Sequence, residues 1–291
     1  PARQLGSSGT NGETLSESRD PTAILLDIDG TVVNYDLQIP DSAREAIAEA
    51  RKNGHQIYLC TGRAKAEIYD FLWDLGVDGL ILGNGSYVEH DGEVVHHQVM
   101  DPTTVEKAIN WLESNGFGYY LECNSGLFAS DDLAEKVVVA VGDDNPNIRE
   151  VWDQAMAGAI FDTTRGRDDV NKISFPLHKE TDLKELQELF DGQARISTWT
   201  ASGKKQEFGE FGQLGIHKAV GVSALADHLG ADPQDMIAFG DAAPDIELIE
   251  LVGTGVAMGN GEAALKARAD LVTDHIDRDG LSNAFRKLGL I

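Results

Sequence analysis

Two aspartates set two residues apart leave an apolar run in Ile24–Val33, ILLDIDGTVV, and carboxylates at that spacing could do chemistry. Asp27 and Asp29 would stand at the C-terminal end of a buried strand, with Gly30 and Thr31 turning the backbone away. Alternation along an extended segment points both side chains to one face, where they can share a cation or divide attack and proton transfer between them. The bland alternative is a strand that ends in an Asp-Gly turn. DxDG also opens a calcium loop, but an EF-hand needs a Glu at its twelfth position, which counted from Asp27 is Gln38.

Two further apolar runs end in polar residues. His55 to Cys60 runs into Thr61-Gly62-Arg63, and Met236 to Phe239 runs into Gly240-Asp241, with Asp245 one helical turn on. In an open parallel sheet the C-terminal edge is where ligands bind. With Lys218 near the start of a helix, the set holds acids for a hard cation, and a hydroxyl and an ammonium for an anion. Mg²⁺ favours few carboxylates, several waters and substrate phosphate oxygens, so phosphoryl transfer is the natural reading. Taken singly, Thr61 reads as a strand-terminal cap, Lys218 as a solvated lysine, and Arg63 equally as a substrate contact or the partner of a surface acid.

The elements that must carry these residues follow an α/β order. After the strand to Asp27, Pro40-Asp41-Ser42 opens a helix in which Ser42 and Glu45 have capping-box spacing, and Gly54 stands at its end. The strand His55–Cys60 completes a parallel unit with a right-handed crossover. A helix over Ala64–Leu75, a strand Gly79–Leu82 and the turn Gly83-Asn84-Gly85 come next. From Tyr87 the pattern changes to a hairpin around Asp91-Gly92, followed by mixed strands and helices. Parallel order returns with the helix His217–Leu229. The expected fold is therefore α/β: a parallel-sheet, Rossmann-like core over 21–86 and 201–291, with an inserted α+β cap domain over 87–200. Residues 1–20, polar and rich in Gly and Ser, read as a disordered tail or cloning remnant. The charged loop Thr163–Asn171 reads as mobile. Trp73, Trp111 and Trp152 read as core residues, and His90, His96 and His97 as a solvated hairpin face.

Composition narrows the function. The 291 residues are 42% hydrophobic, enough for one large or two ordinary cores. No run approaches the ~20 apolar residues of a membrane-spanning helix, and no signal-like segment begins the chain, so it reads as soluble and cytoplasmic. Cys60 and Cys123 form no disulfide framework or zinc pattern. A net charge of −25 opposes nucleic acid and membrane partners. Any phosphorylated substrate would then need a metal and a few well-placed cations to enter.

At this point a resemblance applies. DIDGT at 27–31, TGR at 61–63, Lys218 and GDAAPD at 240–245 resemble the four ordered motifs of the haloacid dehalogenase (HAD) superfamily of phosphatases. The insertion between the second and third motifs, and VAMGNG at 256–261 followed by KARADLVTD, resemble the Cof-type branch with its large α/β cap. The resemblance implies Asp27 as the nucleophile that becomes an aspartyl-phosphate and Asp29 as general acid and base. It implies Thr61 and Lys218 on the phosphoryl oxygens. Mg²⁺ would be bound by Asp27, the backbone carbonyl of Asp29, Asp241 and Asp245. Gly62, Arg63 and Asn84 are the expected substrate contacts. Two departures stand out: Pro244 replaces the usual Asn, removing an amide that could hold substrate, and Ala219 replaces a frequent Gly. The expected function is a Mg²⁺-dependent phosphatase for a small phosphorylated metabolite such as a sugar phosphate. The rivals are a phosphomutase of the same superfamily and a receiver-like domain phosphorylated on Asp, the latter opposed by the long insertion. Oligomeric state is not legible.

Overall fold

Strand β1, Ala23–Leu26, lies at the centre of a sheet because all four of its side chains are buried and it has a parallel partner on each edge. The computed structural model describes residues 20–141, 156, 158–178, 180–199 and 206–291, with the side chains of 140 and 141 left aside. The expected tail and Trp152 lie outside these residues. On one side of β1 come β2 (Gln56–Cys60) and β3 (Gly79–Leu82), and on the other β12 (Ile237–Gly240), β13 (Thr254–Ala257) and β14 (Leu271–Val272), all parallel. Chain order thus runs outward from β1 in both directions, which places the reversal of strand order at the β1/β12 boundary.

Alternate residues of β1 face opposite layers. Ile24 and Leu26 pack with Ala43, Ile47 and Ala50 of the helix Asp41–Lys52 and with Phe285 of the helix Gly280–Lys287. Leu25 packs with Val222 and Leu225 of the helix Lys218–Leu229 and with Leu248 of the helix Ile246–Leu251. The expected capping box does not form. The helix begins at Asp41, one residue before Ser42, so Ser42 lies inside the first turn and its hydroxyl finds no partner among the described residues. The expected helix over Ala64–Leu75 is two 3₁₀ turns, Lys65–Glu67 and Asp70–Leu75, because Ile68 between them is extended (φ −71°, ψ 125°).

The hairpin of β4 (Tyr87–His90) and β5 (Glu93–His97) continues the first sheet, with β4 antiparallel to β3. An unpaired parallel edge would leave a row of N–H and C=O groups exposed, and the hairpin satisfies them. The histidines expected on a solvated face of that hairpin are partly tied down. His90 Nδ1 lies 3.0 Å from Tyr58 Oη, and His97 Nε2 lies 3.0 Å from Asn171 Oδ1. The second sheet has the order β10-β11-β9-β6-β7-β8, with β6 at Tyr120–Cys123, β7 at Leu127–Ala129, β8 at Ala159–Ile160, β9 at Val170–Pro176, β10 at Arg195–Trp199 and β11 at Phe208–Gly212. Strand β11 lies beyond residue 200 and still belongs to it. The two chain crossings run side by side, Gln213 Nε2 donating to Gln98 O at 2.8 Å. All strands of the second sheet lie between these two crossings.

One face of the second sheet holds an aromatic core of Trp111, Phe117, Phe175 and Phe211, so Trp111 is internal as expected, whereas Trp73 is 43% exposed on the 3₁₀ turn. The other face carries Glu122, Lys172, Ser174 and Glu210. Arg165 pins the loop expected to be mobile, with salt bridges to Glu106 (2.7 Å) and Glu113 (2.6 Å). No described helix is long and apolar enough to cross a membrane.

Candidate active site

The first sheet brings the C-terminal ends of β1, β2 and β12 together, and with them Asp27, Thr61 and Asp241. Asp27 extends the ladder by one bond, its N–H donating to Phe239 O at 3.1 Å. The backbone then coils: Ile28 O accepts from Val32 N at 2.9 Å and Val33 N at 2.8 Å. Gly30 has φ +84°, and a Cβ there would sit 2.2 Å from Asp241 Oδ2, so this turn admits only glycine beside the second acid-bearing loop.

Because the coil starts at Ile28, the two aspartates do not share a face. Asp27 is 7% exposed and turns to Lys218, whose ammonium lies 2.6 Å from Asp27 Oδ1 and 2.5 Å from Asp245 Oδ1. Asp29 turns outward and is held by Arg63 through Nε (2.7 Å) and Nη2 (2.9 Å). Arg63 also donates to Tyr69 Oη at 2.5 Å and lies over the Tyr69 ring. Burial by itself would lower the guanidinium pKa, but the hydrogen bonds and charge of Asp29 raise it.

Asp245 joins the parts. Its Oδ2 accepts from the backbone N–H of Asp241 (3.0 Å) and Ala242 (3.1 Å), fixing the loop after β12, while Oδ1 takes Lys218. Pro244 sits at the first turn of the 3₁₀ segment Ala243–Asp245, where its missing N–H leaves no donor unpaired. Carboxylate oxygens of Asp27, Asp241 and Asp245 all lie within 4.8 Å of one another, and all three residues are buried. Desolvation and the neighbouring acids push Asp27 well above the usual carboxylate range and Asp241 up to about 7. Burial opposes the charge on Lys218, but Asp245 and Asp27 outweigh it and raise its pKa. Three buried acids around one ammonium lack positive charge, and Asp241 Oδ1 is buried without a partner among the described residues. An all-oxygen donor set of this kind fits a hard divalent cation. The side chain of Asp29, bound to Arg63, stands apart from this trio.

Thr61 is 1% exposed, its Oγ1 accepting from Arg63 N at 3.3 Å and its carbonyl from Asn84 N at 3.1 Å. A Cβ on Gly62 would stand 3.0 Å from Asn84 Oδ1, so the Thr61 loop and the Asn84 turn are fitted closely together. Gly85, with φ +100°, lets that turn press against His217 O at the start of the Lys218 helix. The expected substrate contacts Gly62, Arg63 and Asn84 therefore border the site, though Arg63 is engaged by Asp29. One neighbour was not found from sequence: Tyr35 Oη lies 3.5 Å from Asp241 Oδ2. Nothing in its local pattern marks it.

A family profile of haloacid dehalogenase-like hydrolases matches residues 24–285, spanning every element of the first sheet and the whole insertion. The chain belongs to this family. Among haloacid dehalogenase-like relatives, the Bacillus subtilis (strain 168) protein YkrA is 29% identical over 273 residues, covering 94% of this chain and 99% of its own. The pyridoxal phosphate phosphatase YbhA of Escherichia coli (strain K12) is 27% identical over 284 residues, covering 89% and 95%. Among solved structures, the HAD subclass IIB sugar phosphatase BT4131 is 25% identical with a TM-score of 0.75, covering 93% of this chain and 100% of its own. Asp27, Thr61 and Asp241, which carry the resemblance, stand at the C-terminal ends of the neighbouring strands β1, β2 and β12.

Proposed function

We propose that this chain is a Mg²⁺-dependent phosphomonoesterase that hydrolyses a small phosphorylated metabolite through an aspartyl-phosphate on Asp27. The observation that carries the reading is the buried Asp27 carboxylate, set 2.6 Å from Lys218 and within the acid trio. Relatives named for sugar phosphate and pyridoxal phosphate substrates support the substrate class. The acidic chain and its two free, buried cysteines accord with a cytoplasmic enzyme without nucleic acid or membrane partners.

The residues divide the work as follows. Asp27 attacks phosphorus, forming an acyl phosphate bond as the bond to the leaving oxygen breaks. Both oxygens of Asp29 accept from Arg63 here, so to act as general acid it leaves that fork and takes a proton from solvent, which it gives to the departing alkoxide before taking one from the water that attacks the acyl phosphate. Lys218 neutralises Asp27 and the phosphoryl oxygens, while Thr61 and the backbone of Gly62 border those oxygens. Asp27, Asp241, Asp245 and the carbonyl of Asp29 would hold Mg²⁺, which when bound screens the phosphate charge from the acids.

The test separates the two aspartates. Asp27→Asn is expected to form no phosphoenzyme. Asp29→Asn keeps the nucleophile and loses an acid and base each worth ~10²–10⁴ in rate. With p-nitrophenyl phosphate it should release a burst of nitrophenol near the enzyme concentration and leave phosphate on the Asp27 peptide in mass spectrometry. Two equally dead variants with no burst would sink the covalent route.

A further inference from the structure

The loop Asn34–Gln38 follows the turn after Asp29 and is clasped at its base by one side chain. Asn34 Oδ1 accepts from the N–H groups of Asp36 (3.1 Å) and Gln38 (3.0 Å), while its Nδ2 donates to Asp277 Oδ1 at 2.9 Å. The tip of this ordered loop is apolar. Tyr35 is 70% exposed and Leu37 56% exposed. Leu37 also has φ +57°, a left-handed conformation that a leucine adopts only at a cost. Packing cannot account for a strained leucine whose side chain stays in solvent.

The turn accounts for it, Leu37 N donating to Asn34 O at 3.0 Å and Asn34 N to Gln38 O at 2.9 Å. The Tyr35 hydroxyl points inward, 3.5 Å from Asp241 Oδ2. The ring therefore stands beside the acid site, hydroxyl on the Asp241 side and most of its surface open. At 3.5 Å the hydroxyl is too far from Asp241 to orient it firmly, so support of that acid does not explain the residue. Next to the acids of the site, an uncharged aromatic ring offers a surface for flat, apolar groups.

We propose that the Tyr35 ring forms a wall that receives the leaving group, selecting phosphomonoesters whose alcohol portion carries a flat aromatic or conjugated ring. This rests on the phosphatase reading for what is released, and it assigns specificity to a loop of the core domain. The wall acts in ground-state binding, so it is read with ligands that do not turn over.

The experiment titrates wild type, Tyr35→Ala and Tyr35→Phe with phenylphosphonate and ethylphosphonate at saturating Mg²⁺, by calorimetry. Wild type should bind phenylphosphonate at least tenfold tighter than ethylphosphonate. Tyr35→Phe should keep that preference, and Tyr35→Ala should shrink it to within threefold with an unchanged melting temperature, since the residue is exposed. Equal binding of both phosphonates by wild type overturns the proposal, as does a preference that survives Tyr35→Ala or a variant that loses both ligands by the same factor. Phosphate release from p-nitrophenyl phosphate, measured alongside, tests the reaction separately. Its absence would defeat the phosphatase reading, while the phosphonate ratios would still decide the role of the wall.

Discussion

Arg63 and Asp29 meet fork to carboxylate, Nε 2.7 Å from Oδ2 and Nη2 2.9 Å from Oδ1, across 34 residues of sequence. A bidentate pair of this kind fixes direction as well as charge. It holds the expected general acid away from Lys218 and the acid trio, on the outward side of the loop. Arg63→Lys keeps the charge and loses the fork. The variant should lose about 10–100-fold in kcat on an alkyl phosphate, where protonation of the leaving group matters, a fraction of the full value of a general acid. On p-nitrophenyl phosphate, whose leaving group needs little protonation, the loss should stay within about threefold. Equal losses on both esters would show that Arg63 acts on the phosphate itself.

The polar face of the second sheet predicts opposite stability effects from two glutamates that share one lysine. Lys172 Nζ lies 3.0 Å from Glu122 and 3.2 Å from Glu210. Burial and the nearby Glu67 hold Glu122 well above the usual carboxylate range despite Lys172. Burial also works against Glu210, but Lys172 and Ser197 outweigh it and lower its pKa. A raised folded-state pKa stabilises below the unfolded value of about 4.3, and that stability is lost as pH rises through the folded value. A lowered one stabilises above about 4.3, and that stability is lost as pH falls through the folded value. Glu122→Gln should therefore raise the melting temperature at pH 8 by roughly 2–4 °C, an effect fading towards about pH 4. Glu210→Gln should lower it at pH 8, converging with wild type only below about pH 4. Thermal unfolding between these values checks both, and shifts of the same sign at pH 8 would contradict the unequal sharing.

The sheet pairing makes a third prediction about where the chain can be cut. Gln98 and Gln213 touch, so excising 99–212 and joining these two ends with a few glycines should leave the first sheet whole. Excising 87–200 removes β4 and β5, bares the edge of β3 and strands β11 without its neighbours. The first deletion should be monodisperse and unfold cooperatively, and the second should aggregate, by size-exclusion chromatography and thermal melting. A well-behaved second protein would show that the hairpin is dispensable to the core.

What could be read from the sequence was whatever is written locally. The strands ending at Asp27, Thr61 and Asp241 were legible because each is an apolar run that stops at a polar residue, and the helix from Lys218 because its boundaries are marked. The hairpin Tyr87–His97 is written locally as a hairpin, but nothing in it encodes its pairing with the edge of β3. β11, FGEFG, was missed because two glycines mask its strand character, although a Cβ on Gly209 would strike Phe175 at 2.4 Å. The divergence of Asp27 from Asp29 depends on Gly30 fitting beneath Asp241, a contact between residues far apart in sequence. Tyr35 carries no motif, and its significance arises only from the loop that aims it.

The place of β1 at the centre of its sheet also bears on how the protein is made. Its partner on one edge, β2, follows closely, but the other edge pairs Ile24 with Ile237, 213 residues later (237 − 24 = 213). At a synthesis rate of ~5–20 residues per second, that edge waits about 10–40 s on the ribosome while the whole insertion is made. During this interval the most apolar strand of the catalytic domain has one unpaired flank, so the nascent chain depends on the insertion folding promptly, or on a chaperone, to reach β12 without misassembly.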